Sequence, residues 1–468
     1  MRNMLFNKKA VRSITDTTVA NAFNIFTLAL STFIIPKLID VRAYSYWQLY
    51  HLYITYVGFF HFGWADGIYL QQGGKKYSEL DQKELHTQYK LYLIFELIVS
   101  VIVFIAGWAI CDDADKLYVI GAFATCIFIT VTSAFLQYLL QCTDRISEYA
   151  RVLIVERILY VILLAVLIVV GVRDYRPIIA ADLIPKTVTL ILLTIKCKDI
   201  VFCNRIKSFA EGIKDAWQNV SIGSKLMIAN IAGLLLTGIV KTAIELKWGI
   251  ETFGKASLTM SVSNLVMVFV SAVSIVLYPI LKNTEDGQKA ETYGKLRKAI
   301  VWLTLGAMVF YYPLYKIVGL WLPQYEDGLK YMALLFPICL FESKTNLLCN
   351  TYFKALREEK KLMWLNIIAV IITIAVTVIT VEMMNSVPFA MLGLMVSLGI
   401  RNTILEAYLW RKLNIHFTID MIIEWIMVIL FCLISWNIQS WMCMVWYAMV
   451  FGIFVCVTGL RNIIKKEK

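Results

Sequence analysis

Pairs of opposite charge lie inside long apolar stretches of this sequence. Asp182 and Lys186 are four residues apart, and so are Lys241 and Glu245. In a helix this spacing places both side chains on one face, where each pair can neutralise itself. A charge near the centre of a membrane helix costs roughly 2.5–3.5 kcal/mol on insertion scales, so such a residue is expected to have a partner or a function.

Two further cations have no opposite charge nearby along the chain. Lys316 lies near the end of its apolar stretch, where a long side chain can reach the headgroup region. Arg401 lies deeper and is the best single candidate to line a cavity. Lys344 stands near Glu342, and these two could likewise neutralise each other. A surplus of cations in a cavity would suit an anionic ligand such as a lipid pyrophosphate. The cationic candidates for a substrate cavity are Arg401, Lys186, Lys241, Lys316 and Lys344.

Isolated acids are the candidates for binding a proton or a cation. Glu96 interrupts one apolar stretch and is either such a site or a residue hydrated near the membrane edge. Asp66 closes another stretch and can equally be a helix-end residue. The acidic candidates for a coupling ion are Asp66, Glu96, Asp182, Glu245 and Glu342.

Uncharged polar residues form stripes on two of the predicted helices. One stripe includes Thr17 and Ser31, and the other Thr237 and Lys241, at spacings that keep each stripe on one helical face. Such stripes face a water-filled cavity or form hydrogen bonds between helices. The polar candidates for the cavity are Asn21, Asn24, Ser31, Asn230 and Thr237.

The elements that must position these residues are transmembrane helices. Hydrophobic residues make up 59% of the 468-residue chain and charged residues only 17%. A bilayer core about 30 Å thick needs roughly 20 apolar residues per helix, and fourteen such stretches can be delimited. They cover residues 17–38, 45–65, 88–110, 117–141, 151–171, 176–196, 222–245, 256–281, 299–322, 328–350, 361–382, 387–410, 419–437 and 440–460.

The distribution of Lys and Arg predicts the orientation. With the N-terminus in the cytoplasm, cytoplasmic loops hold about four times as many basic residues as the opposite side. This bias favours an even number of spans, with both termini cytoplasmic. The formal charge of +12 then follows from topology and contact with anionic headgroups, and nucleic acid is not an expected partner.

An internal repeat divides the predicted spans. Asn24, Leu28, Leu30 and Ser31 match Asn230, Leu234, Leu236 and Thr237 at a constant offset, and the ends of spans four and ten correspond at a similar one. Two six-helix units followed by a helix pair are therefore expected. Parallel repeats are typical of transporters that bind substrate at the repeat interface. The predicted parts are residues 1–205, 206–412 and 413–468.

Several classes of function lack support in the sequence. We find no phosphate-binding G-x-x-x-x-G-K-[ST] motif, no C-x-x-C pair and no histidine cluster, so neither an enzyme activity nor a cofactor or metal is expected. The ten cysteines are mostly interpreted as small buried hydrophobes. The acidic loop with Asp112, Asp113 and Asp115 is either a metal site or, as we favour, a solvated turn. No predicted outer loop is large enough for the acceptor site of a glycan polymerase.

Three segments carry a family resemblance: Gly63–Gly74 (GWADGIYLQQGG), Gln141–Ile146 (QCTDRI) and Asn350–Lys360 (NTYFKALREEK). They resemble the polysaccharide repeat-unit flippases of the multidrug/oligosaccharidyl-lipid/polysaccharide (MOP) exporter superfamily. The arrangement of six, six and two helices extends the resemblance over nearly the whole chain. It implies a V-shaped pair of lobes around a cationic cavity. The basic residues of peptidoglycan-lipid relatives have no match in the first span, so no individual binding residue is transferred.

The resemblance also implies a function and a location. It implies alternating access that moves a polyprenyl-pyrophosphate-linked oligosaccharide across a bacterial-type cytoplasmic (inner) membrane, for biosynthesis of a cell-surface polysaccharide. The expected partners are that lipid-linked oligosaccharide, membrane lipids, and a glycan polymerase with other biosynthetic proteins. A multidrug or small-molecule antiporter of the same superfamily, a membrane glycan polymerase and a passive scaffold are the alternatives.

Overall fold

The computed structural model of the chain describes residues 23, 25–204, 207–265, 289–415 and 418–466. The described residues contain helices and turns but no strand, and ten of their helices are long and apolar enough to cross a membrane. The prediction of an all-α, multi-pass membrane protein is confirmed. Contacts divide the chain into two compact units, Met1–Leu234 and Leu235–Lys468.

The described part of the N-terminal unit begins with three short helices, of 14 residues or fewer, and continues with longer ones. Between them lie helical turns at Val57–Phe59, Tyr77–Glu79 and Lys198–Val201. The helices are α1 (Ile25–Leu38), α2 (Val41–Ile54), α3 (Trp64–Gln72), α4 (Gln82–Ile110), α5 (Ala114–Cys142), α6 (Ile146–Val170), α7 (Tyr175–Lys196) and α8 (Phe209–Trp248). The division between the units falls inside α8.

The C-terminal unit contains the remaining long helices. A 3₁₀ turn at Pro323–Tyr325 and a short helix at Glu326–Leu329 precede α11, and α11 contains a π-helical segment at Lys344–Cys349. The helices are α9 (250–265), α10 (Lys289–Trp321), α11 (Met332–Ala355), α12 (Glu359–Met383), α13 (Val387–Leu413), α14 (Thr418–Asn437) and α15 (Trp441–Lys466).

Aspartates fix where several helices begin. Asp81 accepts hydrogen bonds from the backbone N–H groups of Lys83 and Glu84 at the start of α4. Asp40, Asp113 and Asp174 cap α2, α5 and α7 in the same way. These carboxylates satisfy N–H groups that have no partner within the helix. Short loops between well-capped helices therefore define the ends of the spans.

Each unit is organised around one helix. In the N-terminal unit α5 packs against α2, α3, α4 and α7, and 61% of its apolar segment is buried, compared with 6% for α4. In the C-terminal unit α11 packs against α10, α13 and α14, and 89% of its segment is buried. These central helices are the fourth and tenth predicted spans.

The second predicted span, 45–65, is not one continuous helix. The α-helix ends at Ile54, and a new one begins at Trp64. Phe62 and Gly63 both have positive φ, at 51° and 82°, a conformation that a right-handed helix cannot contain. A Cβ atom on Gly63 would also collide with the backbone of Ser224 in α8. Close packing of α3 on α8 therefore explains the break.

The remaining differences concern length. The seventh span, predicted as 222–245, belongs to the 40-residue helix α8, whose N-terminal turns are polar. The first and eighth predicted spans lie partly outside the residues that the structure describes. Asn21 and Asn24 also lie outside them. The other ten predicted spans correspond to the helices long and apolar enough to cross a membrane.

Candidate functional site

Four charged side chains from four helices meet inside the C-terminal unit. We call Arg297, Lys344, Glu406 and Glu424 the charge tetrad; each side chain is at most 4% exposed. Arg297 Nε lies 2.9 Å from Glu406 Oε1, and Arg297 Nη1 lies 2.8 Å from Glu424 Oε1. Lys344 Nζ lies 2.6 Å from Oε2 of both glutamates. Each cation therefore bridges both carboxylates.

Aromatic side chains surround the charge tetrad. Tyr293 donates a hydrogen bond of 3.2 Å to Glu406 Oε1, and Trp410 Nε1 donates one of 3.2 Å to the Tyr293 hydroxyl. The Arg297 guanidinium lies 5.3 Å from the centre of the Trp410 ring. The tetrad connects α10, α11, α13 and α14. Its two positive and two negative charges cancel, so it leaves no formal excess of cations for an anionic ligand.

The position of Lys344 corrects one expectation from the sequence. Lys344 does not pair with Glu342, because residues two apart in a helix point to different sides. Lys344 points into the charge tetrad, whereas Glu342 approaches Arg401. Arg401 has no acid nearby along the chain, and its partner in the structure, Glu342, is 59 residues away in the sequence.

A polar face on α11 adjoins Arg401 of α13. Arg401 Nη1 lies 3.3 Å from Glu342 Oε1, and Arg401 Nε donates a 3.0 Å hydrogen bond to Asn366. Asn346 donates to Glu342 at 3.0 Å, and Asn350 donates to Asn346 at 3.2 Å. Glu342, Asn346 and Asn350 are partly or fully exposed on a helix that is otherwise almost entirely buried. A polar face of this kind in a membrane helix normally borders water or a ligand.

The central helix of the N-terminal unit has a comparable face. Gln137 and Gln141 of α5 are four residues apart and partly exposed, and they directly follow the buried Leu136 and Leu140. Asn346 and Asn350 of α11 have the same spacing. Each amide side chain offers both hydrogen-bond donors and an acceptor. Such pairs suit the hydroxyl groups of a glycan.

The predicted pair Asp182 and Lys186 forms an ion pair within α7. The Tyr50 hydroxyl donates to Asp182 Oδ2 at 2.7 Å, and Lys186 Nζ lies 5.9 Å from the Tyr50 ring. Pro185 stands between them inside the helix; a proline there removes a backbone hydrogen bond. Asp182 is buried and Lys186 mostly so, and the pair is neutralised within its own unit.

Ser31 contacts α6 in the same unit. Its hydroxyl lies 3.1 Å from that of Tyr160, so here the polar stripe of the first predicted span contributes a hydrogen bond between helices. Three residues after Lys186, the Thr189 hydroxyl donates a hydrogen bond of 2.9 Å to Glu156. Glu156 was not among the predicted residues.

Glu96 differs from every acid described above. Its side chain is fully buried in α4, and neither carboxylate oxygen has a hydrogen-bond partner among the described residues. A buried carboxylate without a partner is costly in its charged form. The complete burial of Glu96 within the unit agrees better with the proton- or cation-site interpretation than with a hydrated residue. Asp66, by contrast, lies in the first turn of α3 with His61 Nε2 3.8 Å away.

Five candidates stay outside these groups. Lys241 makes no ion pair with Glu245 among the described contacts; Glu245 is buried and has another interaction. Lys316 is exposed, with Nζ 5.9 Å from the Tyr312 ring. Thr237 is partly buried in α8, which also contains Asn230.

The acidic loop between α4 and α5 organises helix ends. Burial raises the pKa of Asp113, but hydrogen bonds from Tyr46 and from the backbone N–H groups of Lys116 and Asp115 outweigh it, so the pKa is lowered. Asp115 accepts from the Tyr175 hydroxyl at 2.7 Å and pairs with Arg176 at 2.9 Å. Within the described chain no group of three potential ligands is placed to hold a metal ion.

Arg297, Glu406 and Glu424 were missed by the sequence analysis. Arg297 lies just outside its predicted span, and the two glutamates lie inside theirs, at 387–410 and 419–437. Their position within apolar stretches was a usable signal for an interior role. Their pairing was not predictable, because Arg297 and Glu406 are 109 residues apart.

Comparison with solved structures identifies the fold. No protein-family model and no curated protein match the chain. An inward-facing multidrug resistance MATE family transporter of the MOP superfamily aligns with a TM-score of 0.63 and 12% identity, over 87% of this chain and 98% of the transporter. Its outward-facing form gives 0.54 and 14%, over 87% and 95%. The lipid II flippase MurJ, in an inward closed conformation, gives 0.59 and 12%, over 97% and 100%. The chain therefore has the fold of the MOP superfamily transporters.

Proposed function

We propose that the chain is a flippase for a polyprenyl-pyrophosphate-linked oligosaccharide repeat unit. It would act by alternating access in a cytoplasmic membrane, with both termini cytoplasmic, during synthesis of a cell-surface polysaccharide. The observation that carries the proposal is the polar face of α11, where Arg401 adjoins Glu342 and the amides of Asn346 and Asn350. A guanidinium for phosphate and amides for sugar hydroxyls are the groups such a substrate requires.

The extent of the fold similarity supports a flippase. The lipid II flippase aligns over 97% of this chain, whereas the MATE transporters align over 87%. The difference is similar in size to the proposed extra helix pair at 413–468. Residues 1–205 and 206–412 would form the two lobes. The amide pairs on the two central helices agree with such a repeat.

The membrane potential would help to drive the proposed reaction. Outward movement of an anion is favoured by roughly 2.3 kcal/mol per charge per 100 mV when the cytoplasm is negative. Of the cationic candidates, Arg401 is the one that adjoins this polar face. Its partner Glu342 is partly exposed, whereas Lys186 and Lys344 are paired with buried acids. Arg401 is therefore the proposed contact for the pyrophosphate.

Glu96 favours a second candidate, a cation- or proton-coupled antiporter of small molecules. A buried acid without a described partner is suited to bind and release a proton or a cation during a transport cycle. The MATE similarity, with a TM-score of 0.63, agrees with this alternative. The two candidates differ in substrate, because an antiporter of this type would export a cationic molecule with no polyprenyl chain.

Deletion of the protein in its host tests the proposal. A flippase predicts that lipid-linked repeat units accumulate in the cytoplasmic leaflet, where an added membrane-impermeant glycosidase cannot reach them. Unpolymerised units in the outer leaflet would instead indicate a polymerase. Unchanged glycan export combined with increased sensitivity to cationic drugs would support the antiporter and refute the flippase. Complementation with the wild-type chain is the control.

A further inference from the structure

A cavity of about 320 Å³ lies within the C-terminal unit, between α10, α14 and α15. Arg297 and Glu424 contribute to its wall from the interior side, held together at 2.8 Å. Glu291 and Lys295 lie at its outer side as an exposed ion pair of 2.7 Å. The cavity therefore has a buried ion pair on its interior side and an exposed ion pair on its outer side.

The charges that line the cavity are balanced. Three cations and three carboxylates contribute, so their formal sum is zero. They are Lys295, Arg297, Lys298, Glu291, Asp420 and Glu424. A purely anionic or purely cationic ligand would find as much repulsion as attraction there. A ligand that carries one charge of each sign would find partners for both.

The cavity changes from charged to apolar along its helices. Glu291 and Asp420 lie in the first turns of α10 and α14. One to three turns further along these helices the lining residues are Val301, Trp302 and Ile423. The apolar wall continues with Phe454 of α15. A ligand with a charged head and an apolar body matches this gradient.

Exposed apolar side chains lie beside the cavity on α14 and α15. On α14, Ile422 and Ile426 are about half exposed, at 52% and 49%. On α15, Ile453 and Val457 are exposed at 65% and 51%. Exposed aliphatic residues on a membrane helix contact lipid chains. Hydrocarbon chains that leave the cavity would therefore continue along a surface suited to them.

We propose that this cavity binds a membrane phospholipid whose headgroup combines a phosphate with a primary amine. The phosphate would meet the cations of α10, and the ammonium group would donate hydrogen bonds to carboxylates of α10 and α14. A trimethylated amine has no N–H to donate, and a glycerol headgroup has no positive charge, so both bind more weakly. This lipid site is independent of the proposed transport substrate.

Native mass spectrometry of the purified full-length protein tests the proposal. The micelles are titrated with phosphatidylethanolamine, phosphatidylcholine or phosphatidylglycerol of identical acyl chains. Phosphatidylethanolamine is expected to be retained at least about fivefold more than either of the others. Equal retention of the three lipids, or preference for phosphatidylglycerol, would overturn the proposal. Soluble phosphoethanolamine that displaces the lipid at equal concentration would show a free metabolite to be the ligand, and would overturn the lipid assignment.

A steric variant locates the binding. Gly294→Trp places a large side chain in the cavity wall and is expected to reduce phosphatidylethanolamine retention about fivefold. Ile371→Trp, at a 61% exposed position of α12, is the matched control and should retain the lipid like the wild type. Retention unchanged in Gly294→Trp would refute the site. If that variant does not fold, Thr458→Trp, also in the cavity wall, replaces it with the same expected result. Asp420→Asn should abolish the preference over phosphatidylglycerol.

Discussion

The ammonium group of Lys344 lies 2.6 Å from Oε2 of Glu406, and both side chains are almost completely inaccessible. Lys344 belongs to the central helix of the C-terminal unit and Glu406 to α13. Removing one member of a buried ion pair leaves an uncompensated charge, which is far more costly than replacing both members. The charge tetrad is therefore expected to determine the stability of this unit.

Glu406→Gln is predicted to lower the free energy of unfolding by about 3–5 kcal/mol, because Arg297 and Lys344 would keep their charges with only Glu424 to balance them. Thermal unfolding of the purified protein in detergent measures this effect. Glu359→Gln, which removes an exposed acid from the first turn of α12, is the control and should leave the melting temperature unchanged. Equal melting temperatures for both variants would contradict a structural role of the tetrad.

Arg401→Ala is predicted to reduce glycan export at least about tenfold while membrane insertion stays normal, because a lost charge-assisted hydrogen bond costs roughly 1.5–3 kcal/mol. Export is quantified by surface glycan labelling in the deletion host, and insertion by the protein's abundance in membranes. Arg411→Ala changes an exposed arginine of the same helix and should support normal export. Normal export with Arg401→Ala would remove this residue from the proposed site.

Glu96→Gln keeps the shape of a buried side chain that has no described hydrogen-bond partner, but it cannot bind or release a proton. Transport by the variant is predicted to lose its dependence on pH, as measured in proteoliposomes over a series of external pH values. Ser100→Ala, on the same buried face of α4, is the control and should keep the wild-type profile. A wild-type profile in Glu96→Gln would show that this residue does not couple transport to protons.

Gly67→Ala is predicted to destabilise the N-terminal unit by about 1–3 kcal/mol, because the added methyl group would collide with the backbone of Asn219 in α8. Gly58→Ala is the matched control, since a Cβ atom there meets nothing within 4 Å. The melting temperatures of the two variants in detergent should therefore differ clearly. Equal melting temperatures for Gly67→Ala and the control would show that α3 and α8 do not pack closely at Gly67.

The sequence was sufficient to predict the helices, because membrane spans are determined by length and hydropathy. Ten predicted spans correspond to helices of suitable length and composition. The break at Phe62 and Gly63 was not visible, because it depends on contact with Ser224 in a distant helix. Hydropathy alone does not report such a contact.

The sequence identified which charges lie inside helices but not how they pair. The Asp182–Lys186 pair was predictable because its partners are one helical turn apart. The charge tetrad joins residues from 297 to 424, and its geometry depends on the packing of four helices. Arg401, predicted to line a cavity, is a buried residue, and its partners Glu342 and Asn366 emerged only from the structure.

Reconstitution tests the central proposal most directly. Purified protein in proteoliposomes is supplied with a fluorescent polyprenyl-pyrophosphate-linked oligosaccharide, and the fraction accessible to an external quencher is followed over time. A flippase predicts rapid loss of protection in wild-type vesicles, at least about tenfold slower loss with Arg401→Ala, and wild-type kinetics with Arg411→Ala. Protection equal to that of protein-free liposomes, together with uptake of a cationic dye by the same vesicles, would contradict the flippase proposal.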